Sequence, residues 1–262
     1  MSDYETLGYE LSDHVATITI QRPEAANSLS MEMCKELMDA SIRVDDDPDV
    51  RAVVFRGTGR FFCTGADLRG FPPAGPEMAT YVKEMTTYLH AAASRFTRMD
   101  APLITAINGT CAGAGMSLAL IGDLALAGES ARFTMAYSRI GLTPDGSSTY
   151  FLPRLVGLRR SLELCLTNRM LSAQEALDWG MINRVVADDE LQTQAQALAA
   201  QLAAGPTESI GAAKRLYHQS WNEGLESQME WETRAICDAS RRPEAKEGMT
   251  AFFEKRDPVF HR

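Results

Sequence analysis

Asn108-Gly-Thr-Cys-Ala-Gly113-Ala-Gly115-Met-Ser-Leu-Ala-Leu-Ile-Gly122 is the stretch that decides the fold. Before it stands Leu103-Ile-Thr-Ala-Ile107, a short apolar run that reads as a strand. After its glycines, Met116, Leu118, Leu120 and Ile121 predict a buried helix starting near Gly115. The local order is therefore strand, glycine turn, helix. Residues 101–122 are uncharged and long enough on paper to span a bilayer. Pro102, Asn108 and glycines 109, 113, 115 and 122 break that stretch up, so a membrane span is not expected.

Phe61-Phe-Cys-Thr-Gly65-Ala66-Asp67-Leu68 has the same design, after the apolar run Ala52-Val-Val-Phe55 and the turn Gly57-Thr-Gly59. Each segment puts small residues where the backbone must come close to a neighbour. Two uses are open: close packing of strand on helix, or presentation of backbone N–H groups to a ligand. In the second segment the small residues open a helix, whose first N–H groups are unpaired and partly positive. An anion, or an oxygen developing negative charge, is favoured there. Neither segment has the GxGxxG spacing of a dinucleotide site, and no Gly-Lys-Ser/Thr follows as in a phosphate loop.

Working outward, Val15-Ala-Thr-Ile-Thr-Ile20 alternates and is β-rich, and Arg22-Pro23 ends it. Ser30 predicts a helix N-cap, with Glu32 in the first turn and Met33, Leu37 and Met38 on one face. Asp45-Asp-Asp-Pro48 reads as a polar loop. Leu124-Ala-Leu126 and residues 181–186 read as strands, and Ser172-Ala-Gln-Glu175 as a capping box on a helix that Gly180 stops. Strands recur with helices between them and with no fixed repeat, which predicts an α/β architecture with mostly parallel strands. Beyond residue 190 the strand pattern ends, and 192–204, 208–221, 225–239 and 244–253 read as helices. The expected division is a core of 1–190 and a helical region of 191–262, with Trp221 and Trp231 in a core or an interface.

With 262 residues, 45% of them hydrophobic, the chain can bury a sizeable core and is too apolar to be disordered. A net charge of −9 disfavours nucleic acid or an anionic membrane as the main partner. It leaves room for an anionic ligand on a local basic patch. Cysteines 34, 63, 111, 165 and 237 are scattered, without CxxC, and read as reduced thiols of a cytoplasmic protein. Histidines 14, 90, 218 and 261 lie far apart, and no metal site is expected. The acidic start MSDYETLGYELSDH lacks the basic-then-apolar order of a signal peptide.

Arg22-Pro23 with Asn27, Gly65-Ala66-Asp67-Leu68, Asn108-Gly109 with Gly113-Ala114-Gly115, and the run from Phe133 to Pro144 resemble the crotonase superfamily, the enoyl-CoA hydratase/isomerase family. Leu171-Ser-Ala-Gln-Glu-Ala176, Trp179-Gly180 and Phe253-Glu-Lys255-Arg256 extend the resemblance over nearly the whole chain in order. It implies a spiral of ββα units with a C-terminal helical trimerisation region. It also implies a homotrimer or a dimer of trimers. The ligand it implies is an acyl-CoA thioester, with coenzyme A as part of the substrate and no tightly bound cofactor. By position, the N–H groups of Ala66 and Ala114 hold the thioester oxygen. Ala25, Asp67, Leu68, Arg69 and Gly113 fall along the substrate, Arg22 and Arg69 near its phosphates, and Lys255 of a neighbouring subunit at its nucleotide end.

The resemblance also shows a departure. Hydratases of the family carry two glutamates, whose positions fall on Ser117 and Tyr137. Addition of water needs one group for the water and another for the α-proton, so efficient hydratase activity is not expected. Asp145, in Gly141-Leu-Thr-Pro-Asp-Gly146, is a good turn residue in its own right. In the ring-opening phenylacetate-pathway isomerases an aspartate at this place is the base. One carboxylate suffices for a Δ3-to-Δ2 enoyl-CoA isomerisation. Aryl-CoA dehalogenases of the superfamily use the aspartate as a nucleophile, beside a histidine, here matched by His90, and a tryptophan, where this chain has Tyr137. Tyr137 either lines the acyl pocket or bonds Asp145. A hydrolase, an enoyl-CoA hydratase and a non-catalytic acyl-CoA binder remain as alternatives. Pocket size is expected to depend on Phe71-Pro-Pro-Ala-Gly75 and the helix after it, and Phe260-His-Arg262 is expected to be a loose tail or to wrap a neighbour.

Overall fold

Residues Val15–Ile20 are buried on both faces, which makes them an inner strand between two layers. Ala16, Ile18 and Ile20 face the main core, while Val15, Thr17 and Thr19 face the opposite layer. The computed structural model describes residues 4–260. The chain starts with the hairpin β1 (Leu7–Ser12) and β2 (Val15–Ile20), then helix α1 (Met31–Asp46). Three turns of one pattern follow: β3 (Ala52–Gly57), β4 (Phe61–Cys63) and α2 (Pro76–Arg98); β5 (Leu103–Ile107), β6 (Thr110–Ala112) and α3 (Ala114–Leu120); β7 (Leu124–Gly128), β8 (Arg132–Thr134) and the pair α4 (Ser148–Val156) and α5 (Leu158–Thr167). Then come β9 (Leu171–Ser172), α6 (Ala173–Asp178), β10 (Arg184–Val186), α7 (Leu191–Ala203), α8 (Thr207–Ser220), α9 (Leu225–Ser240) and α10 (Pro243–Glu254).

Each ββα turn adds one strand to each of two sheets. The six-stranded sheet runs β1-β2-β3-β5-β7-β10, parallel apart from the opening hairpin. The four-stranded sheet runs β4-β6-β8-β9, with β9 antiparallel. Val53 pairs with Leu103 and Ile104 with Leu124 in the large sheet, while Cys63 pairs with Cys111 and Cys111 with Phe133 in the small one. Equivalent turns are therefore stacked, and the chain segments leaving β4 and β6 become neighbours. This is the α/β spiral of ββα units that the resemblance implied.

Local chemistry explains the elements. Ser30 Oγ accepts Met33 N–H at 3.1 Å and caps α1, whose Met33, Leu37, Ala40 and Val44 are buried at helical spacing. Met85, Leu89, Ala92 and Phe96 form the matching stripe on α2. On the far face of the large sheet lies α7, whose Ala195, Ala199 and Ala203 let its backbone come close to Val15, Val54, Ile104 and Leu126. The capping box at α6 is complete, and Gly180, with φ +76°, turns the chain after it.

Several expectations are corrected. Asp45 and Asp46 are the last turn of α1, so the loop begins only at Asp47. The predicted strand 181–186 is a strand only over Arg184–Val186; Met181 and Ile182 are buried in a loop, and the Asn183 side chain accepts Ala125 N–H at 2.8 Å. Trp221 and Trp231 are 40% and 43% exposed, so neither is a core residue of this chain. His261 and Arg262 of Phe260-His-Arg262 lie outside the described residues. Among the described residues no helix is long and apolar enough to cross a membrane, and residues 101–122 hold β5, β6 and α3.

Candidate active site

The stacked turns after β4 and β6 meet at glycine. Gly65 has φ +90°, and a Cβ there would lie 3.0 Å from Ala112 O and 3.4 Å from Ala114 N. Only glycine permits this approach. In the first turn, Leu29 N–H donates to Gly65 O and Asp67 N–H donates to Leu29 O, both at 2.8 Å. That parallel bridge uses the atoms on either side of Ala66 and turns the Ala66 N–H away from Leu29. In the second turn, Gly113, with φ +53°, opens α3, and Ala114 is its first helical residue, with no acceptor one turn back. Neither the Ala66 nor the Ala114 N–H has a partner among the described residues. Both residues line the same cavity of about 470 Å³.

Asp145 reaches that cavity from the loop between β8 and α4. Gly146 and Ser147 both have positive φ, and Ser148 N–H returns to Asp145 O at 3.2 Å, the geometry of a type I′ turn. Ala136 and Gly141 also lie in the left-handed region, so the loop departs from the broad minima at several points. Tyr137 Oη donates to Asp145 Oδ1 at 2.6 Å, and Ser117 Oγ donates to Asp145 O at 2.8 Å. The two hydroxyls stand 3.3 Å apart, each proton already given to Asp145. Burial, reinforced by the Asp145 charge, raises the Tyr137 phenol pKa well above its ordinary value, so it stays a donor. Asp145 Oδ2 has no donor among the described residues. Of the two uses open for Tyr137, the structure combines both: it lines the cavity and bonds Asp145.

The cavity wall is otherwise largely apolar: Leu29, Leu68, Phe71, Met85, Leu89 and Leu142 are among its residues, and Asp145 is the only carboxylate there among the described residues. Phe71 and α2 do shape it, as the sequence suggested. Residues that sequence reasoning missed are Leu29, Arg139, Ile140 and Leu142. Arg139 Nη2 donates to Asn168 O at 3.0 Å, and Asn168 Nδ2 donates to Ser138 Oγ at 2.6 Å, which braces the loop on the end of α5.

The other candidates are placed as follows. Arg22 is committed: Nη1 donates to Ser28 O at 2.6 Å and Nη2 pairs with Asp67 Oδ2 at 3.0 Å. Asp67 also takes Arg69 Nε at 3.0 Å, and the two guanidiniums, Arg69 first, hold its carboxyl below the ordinary range. Arg69 itself is largely in solvent, with its side chain 72% exposed. Ala25 is in a short turn (Pro23–Ala25) locked by the fully buried Asn27, which accepts Arg22 N–H and donates to Thr58 O and Phe61 O. Leu68 and Gly113 line the cavity, whereas Ala25, Asp67, Arg69 and His90 do not. His90 Nε2 instead accepts Gly146 N–H at 3.1 Å. Lys255 ends α10, with φ +55°, and does not touch the cavity of its own chain. Cys34, Cys63 and Cys111 are buried thiols beneath the turns; burial pushes the first two up to about 12 and the third well above its usual value, so they are protonated. Among the described residues no group of three or more His, Cys, Asp or Glu could hold a metal.

The sequence profile described as Enoyl-CoA hydratase/isomerase matches residues 10–262. A 1,2-epoxyphenylacetyl-CoA isomerase of Escherichia coli K12 is 38% identical over 250 residues, 94% of each chain. A 4-chlorobenzoyl coenzyme A dehalogenase of an Arthrobacter species is 36% identical over 251 residues, covering 95% of this chain and 91% of the relative. Among solved structures, the enoyl-CoA hydratase of Bacillus anthracis superposes with a TM-score of 0.92 at 29% identity, over 98% of this chain and 99% of that one.

Proposed function

The chain belongs to the enoyl-CoA hydratase/isomerase family, and on that basis we propose that it isomerises an enoyl-CoA thioester by a 1,3-proton shift with Asp145 as the only base. One observation carries the proposal: two unpartnered N–H groups and a single carboxylate share one apolar cavity. The thioester oxygen sits between Ala66 N–H and Ala114 N–H. Asp145 Oδ2 takes the C2 proton of a 3-enoyl-CoA, the charge moves onto the thioester oxygen, and the same carboxyl returns a proton at C4. The product is the conjugated 2-enoyl-CoA, of unchanged composition. Each N–H aimed at the developing oxyanion is worth about 3 kcal/mol in a site that excludes water. Tyr137 holds Oδ1 so that Oδ2 faces the substrate.

Ser117 and Tyr137 stand where hydratases have glutamates, and their hydroxyl protons are engaged by Asp145. Among the described residues no second carboxylate lines the cavity to activate water. A second proposal, aryl-CoA dehalogenation with Asp145 as nucleophile, is favoured by the 36% identity to a dehalogenase. It needs a base for water, and His90 is engaged by Gly146.

Further proposals complete the picture. Residues 191–262 form the oligomerisation region of a homotrimer or a dimer of trimers. In support, α9 has no buried residue in the single chain, and Leu225, Ile236, Phe252 and Phe253 are exposed. Ala25, Asp67, Leu68 and Arg69 run along coenzyme A. Lys255 of a neighbour meets its nucleotide end. Arg22 acts through Asp67 rather than on a phosphate. The compartment is the cytoplasm, in keeping with the reduced thiols.

The test presents the purified protein and its Asp145→Asn variant with a 3-enoyl-CoA and follows the absorbance of the conjugated thioester. Turnover in the parent and its loss in the variant are expected. Equal turnover in both refutes Asp145 as base, and halide release from a haloaryl-CoA with no isomerisation favours the second proposal.

A further inference from the structure

The peptide unit joining Asp145 to Gly146 is held at both polar ends. Its carbonyl oxygen accepts Ser117 Oγ from α3 at 2.8 Å and Ser148 Oγ from α4 at 2.9 Å. Its N–H donates to His90 Nε2 from α2 at 3.1 Å. The unit is also wedged sterically. Gly146 is buried with φ +61°, and a Cβ there would lie 2.8 Å from Ser117 Cβ and 3.6 Å from Leu89 Cδ2. Three helices therefore fix one peptide plane, and the Cα at its edge carries the carboxylate of the cavity.

Among the described residues His90 is the sole acceptor for that N–H, and it is not among the residues lining the cavity. A ring nitrogen that accepts an N–H carries no proton, so the imidazole proton is on Nδ1. We propose that His90 is a positioning residue: as the neutral Nδ1–H tautomer it fixes the Asp145–Gly146 peptide, and through it the aim of the Asp145 carboxylate, and it moves no proton itself. This rests on Asp145 being the base. Without the acceptor, the buried Gly146 N–H is left unpaired, and the peptide rotates to find a partner. Rotation of that plane swings the Cα–Cβ bond of Asp145, and a displacement of ~1 Å at a reacting group costs about 10²-fold in rate.

The experiment compares His90→Leu with His90→Gln. Gln Oε1 extends to about the place of Nε2 and accepts an N–H, yet it is no base. For His90→Leu the expected result is a kcat about 10- to 100-fold below the parent with KM little changed, and for His90→Gln a kcat within about threefold of the parent. Equal loss in both variants means that His90 transfers a proton, and parental activity in His90→Leu means that it positions nothing; either overturns the proposal. Nitrogen-15 NMR of the histidine-labelled parent needs no variant: an unprotonated Nε2 with a protonated Nδ1 is expected, and a protonated Nε2 at neutral pH overturns it. Asp145→Asn is assayed alongside. Full turnover there refutes the base itself, whereas its inactivity beside a fully active His90→Leu refutes only the positioning role.

Discussion

Gly115→Ala is the sharpest perturbation of the two-turn arrangement. Gly115 lies in the first turn of α3, and a Cβ there would stand 2.6 Å from the carbonyl carbon of Cys63 and 2.8 Å from its Cβ. The obstacle is chiefly the backbone at the end of β4, so no rotamer change relieves it. Ordinary contact begins near 3.4 Å, which requires the first turn of α3 and the end of β4 to part by about 1 Å. Ala114 N–H moves with α3, and Ala66 N–H follows β4. The substitution therefore pulls the two donors apart. Loss of one oxyanion donor costs about 10²- to 10³-fold, so a fall in kcat of at least ~10²-fold is expected. Overpacking of this kind also costs about 1–3 kcal/mol of stability and lowers the melting temperature by several degrees. Gly224→Ala is the control, with φ −78° and nothing within 4 Å of the added Cβ. The assay is kcat and KM on a 3-enoyl-CoA, with circular dichroism to establish folding. A folded Gly115→Ala protein with kcat within about threefold of the parent would refute the assignment of these N–H groups as the oxyanion donors.

Three other outcomes follow from the same structure. Tyr137→Phe removes the donor to Asp145 Oδ1 and leaves that oxygen half-buried without a partner; kcat should fall by about ten- to a hundredfold with thioester affinity retained, measured by steady-state kinetics and titration calorimetry. Lys214 Nζ lies 2.7 Å from Asp123 Oδ2 and also donates to Ala101 O, with both side chains mostly buried. Lys214→Met should cost about 3–5 kcal/mol in urea denaturation, and adding Asp123→Asn should recover part of it. Glu175, at the capping box, has its carboxyl pulled down to about 2 from 4.5, first by Ser172 N–H and then by Arg169. Its folded value is the lower one, so its stabilisation is complete above about pH 4.5 and is lost as the pH falls toward about 2. The side chain is 41% exposed, so screening keeps the effect small. Glu175→Gln should show a shallower loss of stability between about pH 5 and about pH 3 than the parent.

Much of the fold was legible because its signals are local. The alternation of Val15–Ile20, the Ser30 cap, the capping box at Ser172 and the two glycine turns each declare themselves within a few residues. What was not legible lacks a local period. β4, β6 and β8 are three residues long, too short to alternate, and β1 buries only Leu7 fully. The second sheet exists because equivalent turns stack, which no single segment encodes. The site divides the same way. Ala66, Ala114 and Asp145 stand at turns that the resemblance picks out, and the structure brings them to one cavity. The bond from Tyr137 to Asp145 spans a loop with left-handed residues at Ala136, Gly141 and Gly146, and its closure is a tertiary event. His90 looked like any helical histidine beside alanines; its acceptor role appears only once Gly146 is set against α2. For Trp221 and Trp231 the core reading fails, because a large apolar residue left half-exposed on a helical surface looks the same in sequence as a core residue; Trp221 packs on Tyr150 and His218 and is still 40% exposed.

The central claim is that one carboxylate carries a proton from C2 to C4 and that no water is added. The most direct measurement is the mass and label position of the product formed from a 3-enoyl-CoA deuterated at C2. A conjugated product without added water, with part of the deuterium found at C4, and no product from the Asp145→Asn protein, is what the account predicts. A product heavier by one water, or undiminished turnover by Asp145→Asn, would contradict it.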